Sequence, residues 1–253
     1  MLIEAISVIP QVFAPYLDAS IMGRAQKSQV FSFNAYDLRD WTHDRHRTVD
    51  DAPFGGGQGM LMKPEPIFEA VEDVSSRGDA APYVVFFSPC GTPFTQEVAQ
   101  RLATKDRLLF VCGRYEGMDE RCYKLADEVI SLGDYVLTGG ELAALAVTDA
   151  VVRLLPGALG DDMSAQDESF SDGLLEYAQY TRPADFRGML VPNVLLSGDH
   201  GAVDRWRRES ALERTARLRP DLIDTANLTD KERSFVDSLY AEEVDVVIGQ
   251  GGD

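Results

Sequence analysis

The sequence has 253 residues, with 24 Lys and Arg against 42 Asp and Glu, a formal net charge of −18. At 45% hydrophobic and 9% aromatic residues it can bury a sizeable core, which excludes a wholly disordered or fibrous chain and leaves one large domain, or a medium one with a small companion. The acidic balance excludes indiscriminate attraction to nucleic acid, so any polyanion has to be held at particular places.

The N-terminal MLIEAISVIPQVF lacks the basic flank of a signal peptide, and no apolar run nears the ~18 residues of a spanning helix. Leu2–Ile9 and Val30–Tyr36 read as strands. Pro64–Val74 reads as a helix with proline in its first turn, and Thr95–Leu102 as another. Tyr83–Phe87 and Leu108–Cys112 are nearly continuous apolar runs, the pattern of strands covered on both faces. Glu141–Leu155 is an Ala/Leu/Val-rich helix that starts after Gly139-Gly140 and stops at Pro156-Gly157. The alternation predicts an α/β domain with a parallel sheet over residues 1–159. The stretch from Gly160 lacks periodicity and reads as a mobile linker, residues 160–174. The remainder, 175–245, reads as a small helical domain: an irregular stretch over Tyr180–Gly198, an Arg-rich helix over Val203–Leu218, and a last helix to about Tyr240. Thr229 and Glu232 have the spacing of a capping box before that last helix. Arg182–Arg219 carries eight arginines against five acids, whereas Asp221–Asp245 carries eight acids against two basic residues. The tail Gly249–Asp253 is expected to fray. The three cysteines, Cys90, Cys112 and Cys122, form no CxxC pair, which fits a reducing, cytoplasmic setting.

Glycine marks the candidate binding loops. Phe54-Gly-Gly-Gly-Gln-Gly-Met60 needs unusual backbone angles or close approach of a partner, and a plain surface hairpin is the alternative. It is not followed by Gly-Lys-Ser/Thr, so it is not a phosphate-cradling loop of the ATPase kind. Three further loops follow likely strands: Ser88–Gly91, Gly113–Gly117 and Leu132–Glu141. Ligands of open α/β sheets bind outside the carboxyl ends of strands, so loops gathered there predict one pocket able to accept an adenine and ribose through backbone groups. None of them has the GxGxxG spacing of a nicotinamide fold.

Among charged residues, Asp40–Asp51 concentrates His43, His46, Arg45 and Arg47. Contact with a phosphate backbone suits it better than a metal site, although a surface histidine pair without a role stays open. Arg153 sits in the last turn of the Ala-rich helix, where capping alone would explain a cation. Asp167 and Glu168 read either as solvated linker carboxylates or as functional acids. Glu116, between glycines, is a functional candidate, and Asp119, Glu120 and Arg121 suit a helix start.

Long motifs then occur in order: WTHDRHRTVDDAPFGGGQGM (Trp41–Met60), VCGRYEGMDER (Val111–Arg121), SLGDYVLTGGE (Ser131–Glu141), Gly157–Ser169, YTRP (Tyr180–Pro183) and VPNVLLSGDH (Val191–His200), with Trp206-Arg207. On them the chain resembles the bacterial tRNA (guanine(37)-N1)-methyltransferases, over residues 1–240. The resemblance implies an N-terminal domain with a deep trefoil knot, S-adenosyl-L-methionine as methyl donor, Mg2+ at a site it does not fix, and an obligate homodimer whose active sites combine both subunits. The partner it implies is the anticodon stem-loop of tRNA with guanosine at 37, preceded by guanosine at 36; no membrane partner is expected. Carried over residue by residue, the cofactor falls among Ser88, Pro89, Gly113, Leu132, Gly133, Tyr135, Leu137, Gly139 and Gly140. The substrate falls among Gly59, Glu116, His46, Asp50, Ser164, Arg182 and Arg207. Arg153 resembles the catalytic arginine, and Glu168 occupies the place of the catalytic aspartate, with Asp167 as its rival.

Two positions depart from the family pattern. Gln58 stands where the glycine loop usually has proline, which frees the backbone. Glu168 replaces aspartate before Ser-Phe, which keeps the carboxylate and lengthens its reach by one methylene.

Overall fold

The computed structural model describes residues 1–78, 80–159 and 169–249, with 242–249 as backbone only. The chain divides into two compact units, Met1–Asp162 and Met163–Asp253.

The first unit is built on strands β1 (Leu2–Ser7), β2 (Ser32–Asp37), the short hairpin β3 (Asp50–Asp51) and β4 (Leu61–Met62), then β5 (Tyr83–Pro93), β6 (Arg107–Val111) and β7 (Glu128–Ser131). Helices α1 (Ala14–Leu17), α2 (Ser20–Lys27), α3 (Pro64–Ser76), α4 (Gln96–Ala103) and α5 (Glu141–Val152) connect them. Five strands form a parallel sheet in the order β2-β1-β6-β5-β7. Both faces are covered, which is why the strands read as unbroken apolar runs. On β6, Leu108 and Phe110 join the core beneath α2, α4 and α5, while Leu109 and Val111 join the one beneath α3. Helix α3 buries Ile67, Ala70, Val71 and Val74, the single stripe of an amphipathic helix, and starts with Pro64 in its first turn. Thr95 caps α4 by accepting from the Val98 N–H.

At the base of the sheet Glu4 and Arg107 are buried together. The Arg107 Nε donates to Glu4 Oε2 across 2.7 Å, and its remaining nitrogens donate to the carbonyls of Val74, Arg77 and Ala80. Tyr36 adds a hydroxyl bond to Glu4 at 2.8 Å. Each charge is thereby paired and hydrogen-bonded, the condition under which buried ions are tolerated.

Strand β5 outruns its sequence signal. Phe87 and Thr92 both stand opposite Ile130 of β7, so residues 88–91 leave the ladder and return to it. Gly91 makes the return possible: a Cβ there would lie 2.6–2.7 Å from the backbone of Val129 and Ile130. Helix α5 is shorter than its apolar run, ending at Val152 with Arg153 as C-cap.

In the second unit α6 (His200–Leu218), α7 (Pro220–Thr225) and α8 (Asp230–Gly249) surround Leu174, Leu212, Ala216, Ile223, Ala226 and Val236. Helix α6 begins at His200 rather than Val203 because the Asp199 carboxylate accepts from the Ala202 N–H at 3.0 Å. Thr229 and Glu232 form the expected capping box: the Thr229 N–H donates to the Glu232 carboxylate at 2.8 Å and the Glu232 N–H to the Thr229 hydroxyl at 3.3 Å. The stretch read as irregular holds a hairpin, β8 (Asp185–Phe186) and β9 (Met189–Leu190), turned by Arg187 at φ 58° and Gly188 at φ 81°. Two consecutive left-handed residues are what a tight two-residue hairpin turn requires.

Candidate active site

The excursion within β5 and the loops leaving the carboxyl ends of β6 and β7 line a cavity of about 400 Å³. All nine residues expected to hold the cofactor line it: Ser88 and Pro89 from the β5 excursion, Gly113 after β6, and Leu132, Gly133, Tyr135, Leu137, Gly139 and Gly140 after β7. Glu116 lines it too.

Small residues set this shape by letting main chains touch. The Gly140 N–H donates to the Gly113 carbonyl at 2.8 Å, and a Cβ on Gly140 would meet the Cys112 Cα at 2.9 Å. Gly133, at φ 142°, turns the loop after β7 and is held by the Ser131 hydroxyl, which accepts from its N–H at 3.2 Å. The β6 and β7 loops are laced by charge as well. Arg114 Nε lies 3.1 Å from Glu141 Oε1, and the buried Glu141 carboxylate also accepts from the Ser7 hydroxyl at 2.7 Å. Tyr123 closes the cavity near the β5 excursion; burial pushes its phenol pKa up, partly offset by a hydrogen bond with Ser88.

The glycine hairpin docks on the β6 loop from the other side. Glu116 N–H donates to the Met60 carbonyl at 3.0 Å and Met62 N–H to the Gly117 carbonyl at 2.9 Å. Gly59 sits so close to Glu116 that a Cβ would stand 2.3 Å from Glu116 Cγ. Tyr115 adopts a left-handed φ of 59° and its hydroxyl bonds to Asp50; burial first, and the Asp50 charge second, raise its pKa. Of these residues Glu116 lines the cavity, while Asp50 and Gly59 contact the lining residues Tyr115 and Glu116 without lining it themselves. Phe54, at the outer bend of the same hairpin, is fully exposed, and Gly55 and Gly56 have open space around them. The loop is thus both a surface hairpin and, at Gly59, a site of close approach.

Other expected residues lie elsewhere. His46 is exposed on a turn organised by the Asp44 carboxylate, which accepts from the N–H groups of His46 and Thr48, and it does not line the cavity. Arg153 is half-buried at the end of α5 and is likewise not a lining residue. In the second unit Arg182 is exposed, and Arg207 lies on α6 with its guanidinium 5.1 Å from the Tyr177 ring centre. Trp206 packs against Tyr180 nearby, with ring centres 6.2 Å apart. Ser164, Asp167 and Glu168 lie outside the described residues. Reasoning from the sequence missed the roles of Arg114, Glu141 and Tyr123; an acid at the first position of α5 reads as an ordinary helix start, and only the fold sets it beside Arg114.

Residues 1–225 match the family described as tRNA (Guanine-1)-methyltransferase TrmD. Curated proteins named tRNA (guanine-N(1)-)-methyltransferase align along nearly their whole lengths. That of Lactiplantibacillus plantarum is 49% identical over 97% of this chain and 100% of its own. That of Syntrophotalea carbinolica is 51% identical over 96% and 98%, and that of Halalkalibacterium halodurans 47% over 96% and 99%. The cavity lies where an α/β sheet holds its ligand, the predicted residues line it, and the chain belongs to the tRNA (guanine-1)-methyltransferase family, whose members are methyltransferases that take their methyl group from S-adenosylmethionine.

Proposed function

We propose that this chain methylates N1 of guanosine 37 in tRNA, prefers guanosine at 36, and uses a carboxylate at 167–168 as general base. The observation that carries the reading is the convergence of nine sequence-selected residues on one cavity beside the β5 excursion and the ends of β6 and β7. That cavity fits S-adenosylmethionine. Its volume lies within the range for a nucleoside-sized ligand, its glycines admit a flat base against main chain, and its lining includes one arginine and two acids, Glu116 and Glu120. S-adenosylmethionine would supply a methyl group made electrophilic by the attached sulfonium. Ser88, Pro89, Gly113, Leu132, Gly133, Tyr135, Leu137, Gly139 and Gly140 would hold it, and Glu116 with Gly59 would stand next to the guanine.

N1 of guanine carries a proton at neutral pH and is a poor nucleophile until that proton leaves. Glu168 takes it in this proposal, with Asp167 as the alternative; a base within hydrogen-bond reach contributes about 10²–10⁴-fold. Deprotonation shifts negative charge to O6, and Arg153 stabilises that charge more strongly in the transition state than with neutral guanine. Ser164, His46 and Asp50 contact the RNA near the reacting base. Arg182, Arg207 and the arginines of α6 hold the phosphates of the anticodon stem-loop. Belonging to the family supports two further parts of the reading, a trefoil knot in the first unit and a homodimer with sites shared between subunits. Among the described residues no three His, Cys, Asp or Glu side chains gather around a common point, so no step is assigned to Mg2+, which the family resemblance implies.

The test is methyl transfer from radiolabelled S-adenosylmethionine to tRNA transcripts varied at positions 36 and 37. Label confined to transcripts with guanosine 37, reduced when position 36 is changed, is the expected result. Label that ignores both positions would assign the enzyme to another RNA position. E168A should abolish most turnover and D167A should not; the reverse pattern would move the base to Asp167.

A further inference from the structure

The cavity carries an unequal set of charges. Among the described residues that line it, Arg114 is the one cation, and Glu116 and Glu120 are the two acids. Arg114 is held unusually firmly for a residue in a glycine loop. Its Nε lies 3.1 and 3.2 Å from the two carboxylate oxygens of Glu141, whose side chain is 3% exposed, and Glu141 is anchored in turn by Ser7. Gly139 packs flush against both partners: a Cβ there would stand 2.4 Å from Glu141 Oε2 and 2.9 Å from Arg114 Nε. The guanidinium is thus fixed by one edge. No acceptor among the described residues takes its two terminal nitrogens, Nη1 and Nη2, and the side chain keeps 27% of its surface exposed.

A guanidinium pinned by a buried acid at Nε and open at both Nη atoms is pre-organised for a second carboxylate, bound end-on by two parallel hydrogen bonds. The proposed methyl donor ends in an amino acid, with one carboxylate, one ammonium and the sulfonium between them and the adenosine. One cation and two acids in the cavity complement those three charges. From this we infer that Arg114, positioned by Glu141 and Ser7, binds the amino-acid carboxylate of the methyl donor and so selects full-length S-adenosyl amino acids over truncated thioadenosines. This rests on the reading of the cavity as the S-adenosylmethionine site.

Equilibrium binding without turnover tests it. S-adenosylhomocysteine, its methyl ester and 5′-methylthioadenosine would each be titrated into the intact wild-type protein, R114M and R114K. R114M should weaken S-adenosylhomocysteine about 10- to 100-fold, the range of a charge-assisted pair, and change 5′-methylthioadenosine by less than twofold. R114K should restore part of the loss. On wild type the ester should lose about the same factor, and on R114M it should lose nothing more, since the pair is already broken. The ester comparison on wild type needs no variant, so it can overturn the inference even if R114M folds poorly, and R114K then carries the assignment to Arg114. Equal weakening of both ligands in R114M would make Arg114 a wall of the adenosine site and overturn the inference. So would an ester that binds wild type as tightly as the acid. A wild-type protein that binds neither thioether would overturn the cofactor reading itself, and the inference with it.

Discussion

Gly140 and Gly113 are joined by a single amide hydrogen bond of 2.8 Å that closes the β6 loop onto the first turn of α5. A methyl group at Gly140 would sit 2.9 Å from the Cys112 Cα and 3.1 Å from the Gly113 nitrogen, and main chain directly after the central strand β6 cannot swing aside as a side chain can. G140A is therefore expected to part the two loops. Overpacking of this kind costs about 1–3 kcal/mol, and a displacement near 1 Å in a binding site costs about 10²-fold. Thermal melting together with S-adenosylhomocysteine titration checks both. A variant with wild-type affinity would mean that the loops close independently of this contact.

The three cysteines should separate chemically. Cys112 and Cys122 are buried; desolvation pushes the Cys112 thiol well above its usual range and the Cys122 thiol up to about 12. Cys90 is exposed and lines the cavity. Iodoacetamide at pH 8 should add one carbamidomethyl group, at Cys90, because the thiolate is the reactive form and the other two thiols are protonated and shielded. Saturating S-adenosylhomocysteine should slow that reaction at least tenfold, followed by intact mass spectrometry.

The Glu4–Arg107 pair offers a test of how the sheet is fastened at its base. Removing one partner leaves a charge buried without compensation, so E4Q and R107M should each lower unfolding free energy by about 3–5 kcal/mol in urea. The double variant E4Q/R107M should recover part of the loss, because no unpaired charge remains. An additive double variant would show that the two side chains act separately.

Acid stability of the helical unit should depend on Glu232. Burial pushes its pKa up, but the Arg208 guanidinium and the hydrogen bonds from Thr229 outweigh it and bring the value down from 4.5 to about 2. A depressed carboxylate stabilises the folded state fully above its unfolded value of about 4.5, and that contribution is lost as the pH falls through about 2. E232Q should therefore be less stable than the wild type at pH 7. The gap should shrink as pH falls from about 4.5 and close near pH 2. Helical circular dichroism in urea at a series of pH values measures it.

The parts of the fold written locally were legible. Both-face burial gave β5 and β6 their unbroken apolar runs, Pro64 and Thr95 announced their helices, and the Thr229–Glu232 spacing announced a capping box that forms as expected. The parts fixed by tertiary contact were not. Strand β7 has only four residues and mixed polarity, α2 has little apolar content, and the resumption of β5 at Thr92 depends on Gly91 fitting the backbone of a strand nearly forty positions later. The site divides in the same way. Glycine loops after strands located the cavity, whereas the Ser7–Glu141–Arg114 lacing joins residues more than a hundred positions apart and has no signature in the sequence.

Among the described residues strand β7 is the rim of the sheet with β5 as its one neighbour, yet it leads into the wall of the cavity formed by Leu132, Gly133 and Tyr135–Gly140. A four-residue rim held from one side is the place where a sheet breathes first. Ser88 and Pro89 of β5 line the same cavity, so a ligand that fills it would act as a clasp across that seam. Amide exchange at Val129 to Ser131 should accordingly slow far more on ligand addition than exchange in β1 or β6, making the rim strand a reporter of occupancy from within the backbone.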